Sequence, residues 1–194
     1  KKEFSLPQGL ADVSKVEIVR EIQGKKKKDL VHNVQVLDPA TGTGTFLNET
    51  ILHIKKSFAG QEGRWSQYVN SDLLPRLHGF ELMMASYTIA HLKLSSTIKE
   101  TGVNTITERL GVYLTNSLEK GEMEERTLFS SIGLGKAITE ESNQANKVKN
   151  ELPIMVVMGN PPYSGESSNS HYTENDVYKT EPSGGKLQER NSKW

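Results

Sequence analysis

Apolar positions in this chain fall into short runs that end in polar or glycine-rich stretches. Val16-Glu17-Ile18-Val19-Arg20-Glu21-Ile22 alternates as a strand with one wet face. Gly24 with Lys25 to Lys28 reads as a turn, and Leu30 to Asp38 as a second strand. After Asp38 the period changes. Leu47, Ile51, Ile54 and Phe58 recur at helical spacing, so the stretch Asp38-Pro39-Ala40-Thr41-Gly42-Thr43-Gly44-Thr45-Phe46 joins a strand to a helix. Residues 59–75 are polar, carry Gly60, Gly63 and Pro75, and read as a loop, with Trp65 and Tyr68 on its surface. Arg76 to Glu81 predicts a core strand, and Leu82 to Glu100 its helix, with Leu82, Ala85, Ile89 and Leu92 as the apolar side. Val112 to Asn116 is a third strand ending in Asn116, and Lys136 to Asn150 a polar surface helix. Leu152 to Met158 has the composition of a buried parallel strand and runs into Gly159-Asn160-Pro161-Pro162-Tyr163.

Strands that alternate with helices predict an α/β fold, Rossmann-like, with an incomplete doubly wound sheet. Residues 1–29 read as an N-terminal extension with a hairpin, 30–163 as the core, and 164–194 as a polar loop or disordered stretch with little to bury. The 194 residues suit one domain with an appendage. Charge adds little, because 24 basic side chains balance 24 acidic ones. The four consecutive lysines admit two readings, a solvated hairpin tip or a phosphate contact. The absence of cysteine excludes disulfides and thiolate metal sites and favours a cytoplasmic setting. No apolar run approaches the roughly 18 residues of a membrane span. The chain opens without methionine and ends without a stop signal, so we expect a piece of a longer protein.

The strand, glycine turn and helix around Asp38 predict a ligand site at the strand's carboxyl end. A phosphate-binding loop of the Walker type needs a lysine directly after the second glycine, and none follows Gly44 until Lys55. A dinucleotide fingerprint needs a third glycine where Leu47 stands. Asp38 sits where a carboxylate meets a cationic or hydroxyl-bearing ligand group. Glu81, also at a strand end, suits ribose hydroxyls or, equally, the start of the following helix. Two prolines stiffen the other loop, leaving the Asn160 amide, exposed carbonyls and the Tyr163 ring to hold a flat, amino-bearing group. His78, His91 and His171 lack metal-ligand spacing, and no metal is expected.

The two stretches together, Asp38 to Phe46 and Asn160-Pro161-Pro162-Tyr163, resemble motifs I and IV of N6-adenine DNA methyltransferases, in the order that places cofactor binding before catalysis. Arg109 to Asn116, Val156 to Gly165 and Gly185 to Asn191 look like the methylase portion of large single-chain restriction–modification enzymes. The resemblance covers most of residues 30–194. It implies an S-adenosylmethionine-dependent methyltransferase fold, double-stranded DNA as partner of the full-length protein, and nuclease, helicase and target-recognition regions in the same polypeptide. It also implies site roles. Asp38, Thr41, Gly42 and Gly44, within a turn that includes Pro39, Ala40 and Phe46, would line the methionine part of S-adenosylmethionine. Glu81 would hold the ribose, Asn116 would lie near the cofactor's adenine, and Asn160, Pro161, Pro162 and Tyr163 would handle the target base.

The chemistry fits those residue types. The exocyclic amine of adenine is a poor nucleophile, because its lone pair is delocalised into the ring. The Asn160 side-chain oxygen and the Pro161 carbonyl can accept both of its N–H bonds, most strongly as the nitrogen becomes tetrahedral. Tyr163 would stack on a base rotated out of the duplex. Two alternatives stand beside this reading. One is methylation of a protein glutamine, which presents the same planar amide problem. The other is a non-catalytic cofactor-binding scaffold, with any activity of the piece alone weak or absent.

Overall fold

The structure, a computed structural model, describes residues 6–22, 25–118 and 133–161. Lys15–Ile22 (β1) and Lys25–His32 (β2) form an antiparallel hairpin, with Lys15 opposite His32 and Val19 opposite Lys28. The lysine run is therefore a strand rather than a turn. Lys28 reaches across to Glu17 on β1 at 2.7 Å, and Lys27 pairs along β2 with Asp29 at 3.5 Å, which lets β2 carry the charges at an exposed edge. Leu30 to Asp38 is not one strand, and the expected boundary at residue 30 falls inside β2. The chain bends at Asn33, whose N–H donates to Ser14 O, and pairing resumes at Gln35–Asp38 (β3).

Strand β3 lies inside a four-stranded parallel sheet. Its order is Gly111–Leu114 (β5), Leu77–Glu81 (β4), β3, Ile154–Val157 (β6). The first strand thus has the second on one side and the last on the other. One face is covered by Thr45–Lys56 (α1) and Met84–Glu100 (α3), whose Leu47, Ile51, Ile54, Ala90, Leu94 and Ile98 join Val36 and Val112 in the main core. On the other, Ala145 and Val148 of Gly133–Glu151 (α4) close over Phe80, with Leu37 and Tyr113 beside them. Helix α4 is therefore a packing element and not only a surface helix. Helices on both faces of a parallel sheet make this a doubly wound α/β fold, as the element pattern predicted.

Strand β6 departs from the expectation of full burial. It is paired only with β3 among the described residues, and Met155 and Val157 face solvent. Its pairing slips between Gln35↔Ile154 and Val36↔Val156, a bulge that sends Ile154 to the second cluster and Val156 to the main one.

The stretch 59–75, expected to be a loop, is helical from Glu62 onward. Glu62–Tyr68 (α2) continues into a short π-helical stretch, Val69–Leu73, and a 3-10 turn, Leu74–Arg76. Trp65 and Tyr68 are buried instead of lying on the surface. They stack at 5.8 Å, each also touches Phe58, and the Trp65 indole donates to Thr101 Oγ1 at 2.8 Å. The apolar side expected for α3 is also wrong. Leu82, Ile89 and Leu92 are exposed, Leu92 by 67%, while Ala90, Leu94 and Ile98 face the sheet. Helix α3 has two apolar stripes, and close approach of α1 selects the one with alanine: a Cβ on Gly44 would lie 3.3 Å from Ala90 Cβ.

His78, central in β4, is buried with Nε2 bonded to Gln35 Oε1 at 2.8 Å, and burial pushes its pKa down to about 4. In the unfolded chain the ring takes a proton below its ordinary value of 6.5, while the folded chain keeps it neutral to about 4. Stability contributed by neutral His78 is therefore present above pH 6.5 and is lost as pH falls toward 4. Urea unfolding at pH 7.5 and 4.5 is expected to show a smaller loss in His78→Gln than in wild type. Equal losses would contradict the assignment.

Candidate functional site

Two of the parallel strands end at Glu81 and Asp38, and Asn116 and Asn160 lie two and three residues beyond the ends of β5 and β6 at the same edge. Strand β3 is followed by an excursion to β4 on one side, and β6 returns on its other side. The described residues after β6, through Pro161, run beside the turn after β3 at the carboxyl edge, the place where doubly wound sheets receive ligands.

Asp38 closes β3 with its side chain fully buried. Its Oδ1 accepts the Ala40 N–H at 3.1 Å, and Oδ2 has no partner among the described residues. Burial pushes the carboxyl up to about 6, partly opposed by the Ala40 hydrogen bond and reinforced by the charge of Glu81. Glu81 is organised differently. Its two oxygens accept the N–H groups of Gly42 and Met83, each at 2.7 Å, so it ties the glycine turn to the start of α3. A carboxylate has about four acceptor positions, and room for further donors remains on each oxygen.

The turn itself is braced from within. Thr41 is buried, its hydroxyl donating to Asp38 O at 3.1 Å and its N–H to Phe80 O at 3.0 Å. Gly42 and Gly44 hold φ of 55° and 80°, and the Gly44 N–H donates to Thr41 O. The N–H groups of Ala40, Thr41, Gly42 and Gly44 are thus all committed to protein acceptors. A phosphate cradle needs such groups free. The strand ends beside the turn instead carry the carboxylates of Asp38 and Glu81, groups that suit an ammonium or a hydroxyl-bearing ligand.

Other anticipated residues fall around the same edge. Pro39 and Ala40 are half-buried in the turn, and Phe46 lies exposed in the first turn of α1. Asn116 stands two residues beyond β5, its Oδ1 accepting the Leu118 N–H at 3.1 Å and its carbonyl accepting Lys149 Nζ at 2.7 Å. Asn160 and Pro161 are exposed at the tip after β6, while Pro162 and Tyr163 lie outside the described residues. Two glycines also shape the site: Gly79, not singled out from sequence, and Gly159, which heads the Asn160 stretch but was given no role of its own. A Cβ on Gly79 in β4 would lie 2.5 Å from Thr41 Oγ1, so the turn settles onto the sheet only over a glycine. Gly159 leaves similar room beside Asp38. A glycine inside or just after a strand is the signal that can reveal such close approaches.

Comparison with known proteins agrees with this architecture. A family model described as MmeI, DNA-methyltransferase domain, matches residues 19–188. A solved structure of a nuclease-deletion mutant of the Type ISP restriction-modification enzyme LlaGI, in complex with a DNA substrate mimic, is similar at 28% identity and a TM-score of 0.50. The match covers 71% of this chain and 11% of that one. The ATP-dependent Type ISP enzyme LlaBIII bound to DNA is similar at 29% identity and a TM-score of 0.53, over 71% of this chain and 9% of that one. The chain thus spans about a tenth of the length of these enzymes. Among curated proteins nothing matches the sequence.

The raised pKa of Asp38 has a consequence for stability. Stability from a carboxyl held at about 6 in the fold is fully present below its ordinary value of 3.8 and is lost as pH rises through 6. At neutral pH the ionised, buried group is a burden. Asp38→Asn is expected to raise the unfolding free energy at pH 7.5 by about 1–3 kcal/mol, the gain fading as pH falls toward 4. A variant less stable than wild type at pH 7.5 would contradict this electrostatic picture.

Proposed function

This chain belongs to the MmeI DNA-methyltransferase domain family, and we propose that it carries the methyl group of S-adenosylmethionine to the N6 amine of an adenine turned out of a DNA duplex. The observation that carries this reading is the pairing of unlike groups at one edge of the sheet, which we take as the two sides of one ligand crevice. Two carboxylates, Asp38 and Glu81, end neighbouring strands on one side, and the Asn160–Pro161 tip follows the adjoining strand on the other. The first side suits a ligand with an ammonium and ribose hydroxyls. The second suits an exocyclic amine.

In this reading Asp38 Oδ2, buried and without a partner among the described residues, accepts from the ammonium of the cofactor's methionine part. The remaining acceptor positions of Glu81 take the ribose hydroxyls, with Asn116 beside the adenine. When bound, S-adenosylmethionine supplies an electrophilic methyl group. The chain's own residues act on the nucleophile. Asn160 Oδ1 and the Pro161 carbonyl accept the two N6–H bonds, drawing the nitrogen toward tetrahedral geometry and strengthening as positive charge develops there. Tyr163 stacks on the base, a contact worth roughly 1–3 kcal/mol. Rotating the base out of the duplex is required because the amine is unreachable inside the stack.

The DNA partner follows from family membership and from the LlaGI and LlaBIII complexes, both solved with DNA or its mimic. Membership also favours a base over the protein-glutamine alternative. We place the activity in a longer polypeptide, as in those enzymes, with nuclease, helicase and target-recognition regions attached. The test is transfer of tritiated methyl groups into duplex DNA by that full-length polypeptide. Asn160→Ala is expected to lower the rate on the order of 10²-fold, and digestion of the wild-type product should yield labelled N6-methyladenine. Equal incorporation by the two proteins would sink the role of Asn160, and labelled N4-methylcytosine would replace the adenine assignment.

A further inference from the structure

We propose that Gly159 is a positioning residue for the Asn160 tip: its lack of a side chain is what lets the loop after β6 lie directly against the Asp38 carboxylate. This rests on the methyl-transfer reading above and adds to it a residue that touches neither reactant. Strand β6 follows β3 through Leu37↔Val157, and the Met158 N–H still donates to Leu37 O at 3.0 Å. The next residue arrives beside Asp38. A Cβ built on Gly159 would lie 2.6 Å from Asp38 Oδ1, 3.5 Å from its Cγ and 3.3 Å from Pro39 Cδ. Real side chains do not tolerate the first of these distances, so one partner must move.

Asp38 is poorly able to do so. Its side chain is buried, Oδ1 is held by the Ala40 N–H at 3.1 Å, and its backbone is paired with Gly79 of β4 in the sheet. The turn beyond it is fixed to Phe80 O through Thr41 and to Glu81 through Gly42. Pro39 has a locked ring. Strand β6 is the looser partner: it has three paired residues, lies at the sheet edge among the described residues, and leaves Val157 64% exposed. A side chain at 159 therefore displaces the β6 loop outward and leaves the Asp38 turn in place. Asn160 follows directly and moves with it. Misplacement of a reacting group by about 1 Å is enough to lower a rate on the order of 10²-fold.

The test uses the full-length polypeptide and reads the two halves of the crevice separately. For Gly159→Ala we expect methyl transfer to DNA to fall on the order of 10²-fold in kcat. The Kd for S-adenosylmethionine, measured by calorimetry, should stay within about threefold of wild type, because the cofactor side does not move. Val157→Ala, an exposed change two residues earlier in β6, should leave both unchanged. A kcat within threefold of wild type, or equal losses in kcat and cofactor affinity, would overturn the proposal. A second readout needs no activity. In an Asp38→Ala background, where the crowded oxygens are gone, Gly159→Ala should lower Tm by less than half of what it does alone. Equal Tm losses in the two backgrounds would overturn the proposal even if the single variant folds poorly. Failure of the wild-type enzyme to methylate DNA would contradict the functional reading instead, leaving the packing claim to this Tm comparison.

Discussion

A carboxylate held out of water at the end of β3 is the constraint on which the site depends. Asp38 has one oxygen satisfied by the Ala40 N–H and the other buried without a protein partner among the described residues. A buried charge of this kind is unfavourable until a donor reaches it, and its pKa of about 6 records that. The neighbouring structure keeps it there. Gly79 lets Thr41 sink beneath the turn, Glu81 fastens Gly42, and Gly159 brings the last strand alongside. In the proposed reading, the local stability given up here is recovered when a cationic ligand group meets the carboxylate, a trade common at functional sites.

The sheet order explains why unlike chemistries meet here. Strand β3 is flanked by the second strand of the sheet on one side and the last on the other. Residues 38 and 160, far apart in sequence, thereby become neighbours across the point where the winding reverses. The carboxylate side and the amide side belong to different loops. In the proposed reading one loop binds while the other positions, and Gly159 lies close beside Asp38.

Much of the fold was legible because its signals are local. The change from strand to helical period after Asp38, and the stripe of Leu47, Ile51 and Ile54, need no tertiary information, and all three side chains are buried as expected. Helix α3 shows where that logic ends. Residues 85, 89 and 92 and residues 90, 94 and 98 both fit helical spacing, and which set faces inward is decided by the approach of Gly44 to Ala90. Trp65 and Tyr68 were misjudged because polar neighbours hid an aromatic cluster completed by the distant Thr101. The lysine run of β2 looked like a tip because the partners that hold it in a strand lie on β1. At the site, the polar strand ends were visible in sequence. The commitment of the turn's N–H groups to internal acceptors was not, and neither were the spaces kept by Gly79 and Gly159, since these exist only once strands lie side by side.

The central claim is that one crevice holds the methyl donor on the Asp38–Glu81 side and the target amine on the Asn160–Pro161 side. Its most direct test is a structure of the full-length polypeptide with duplex DNA and an S-adenosylmethionine analogue that lacks a transferable methyl group. The expected result places the analogue's ammonium against Asp38 Oδ2, its ribose hydroxyls against Glu81, and a flipped adenine with N6 bonded to Asn160 Oδ1 and the Pro161 carbonyl. An analogue bound elsewhere, or a base whose amine does not reach Asn160, would contradict it.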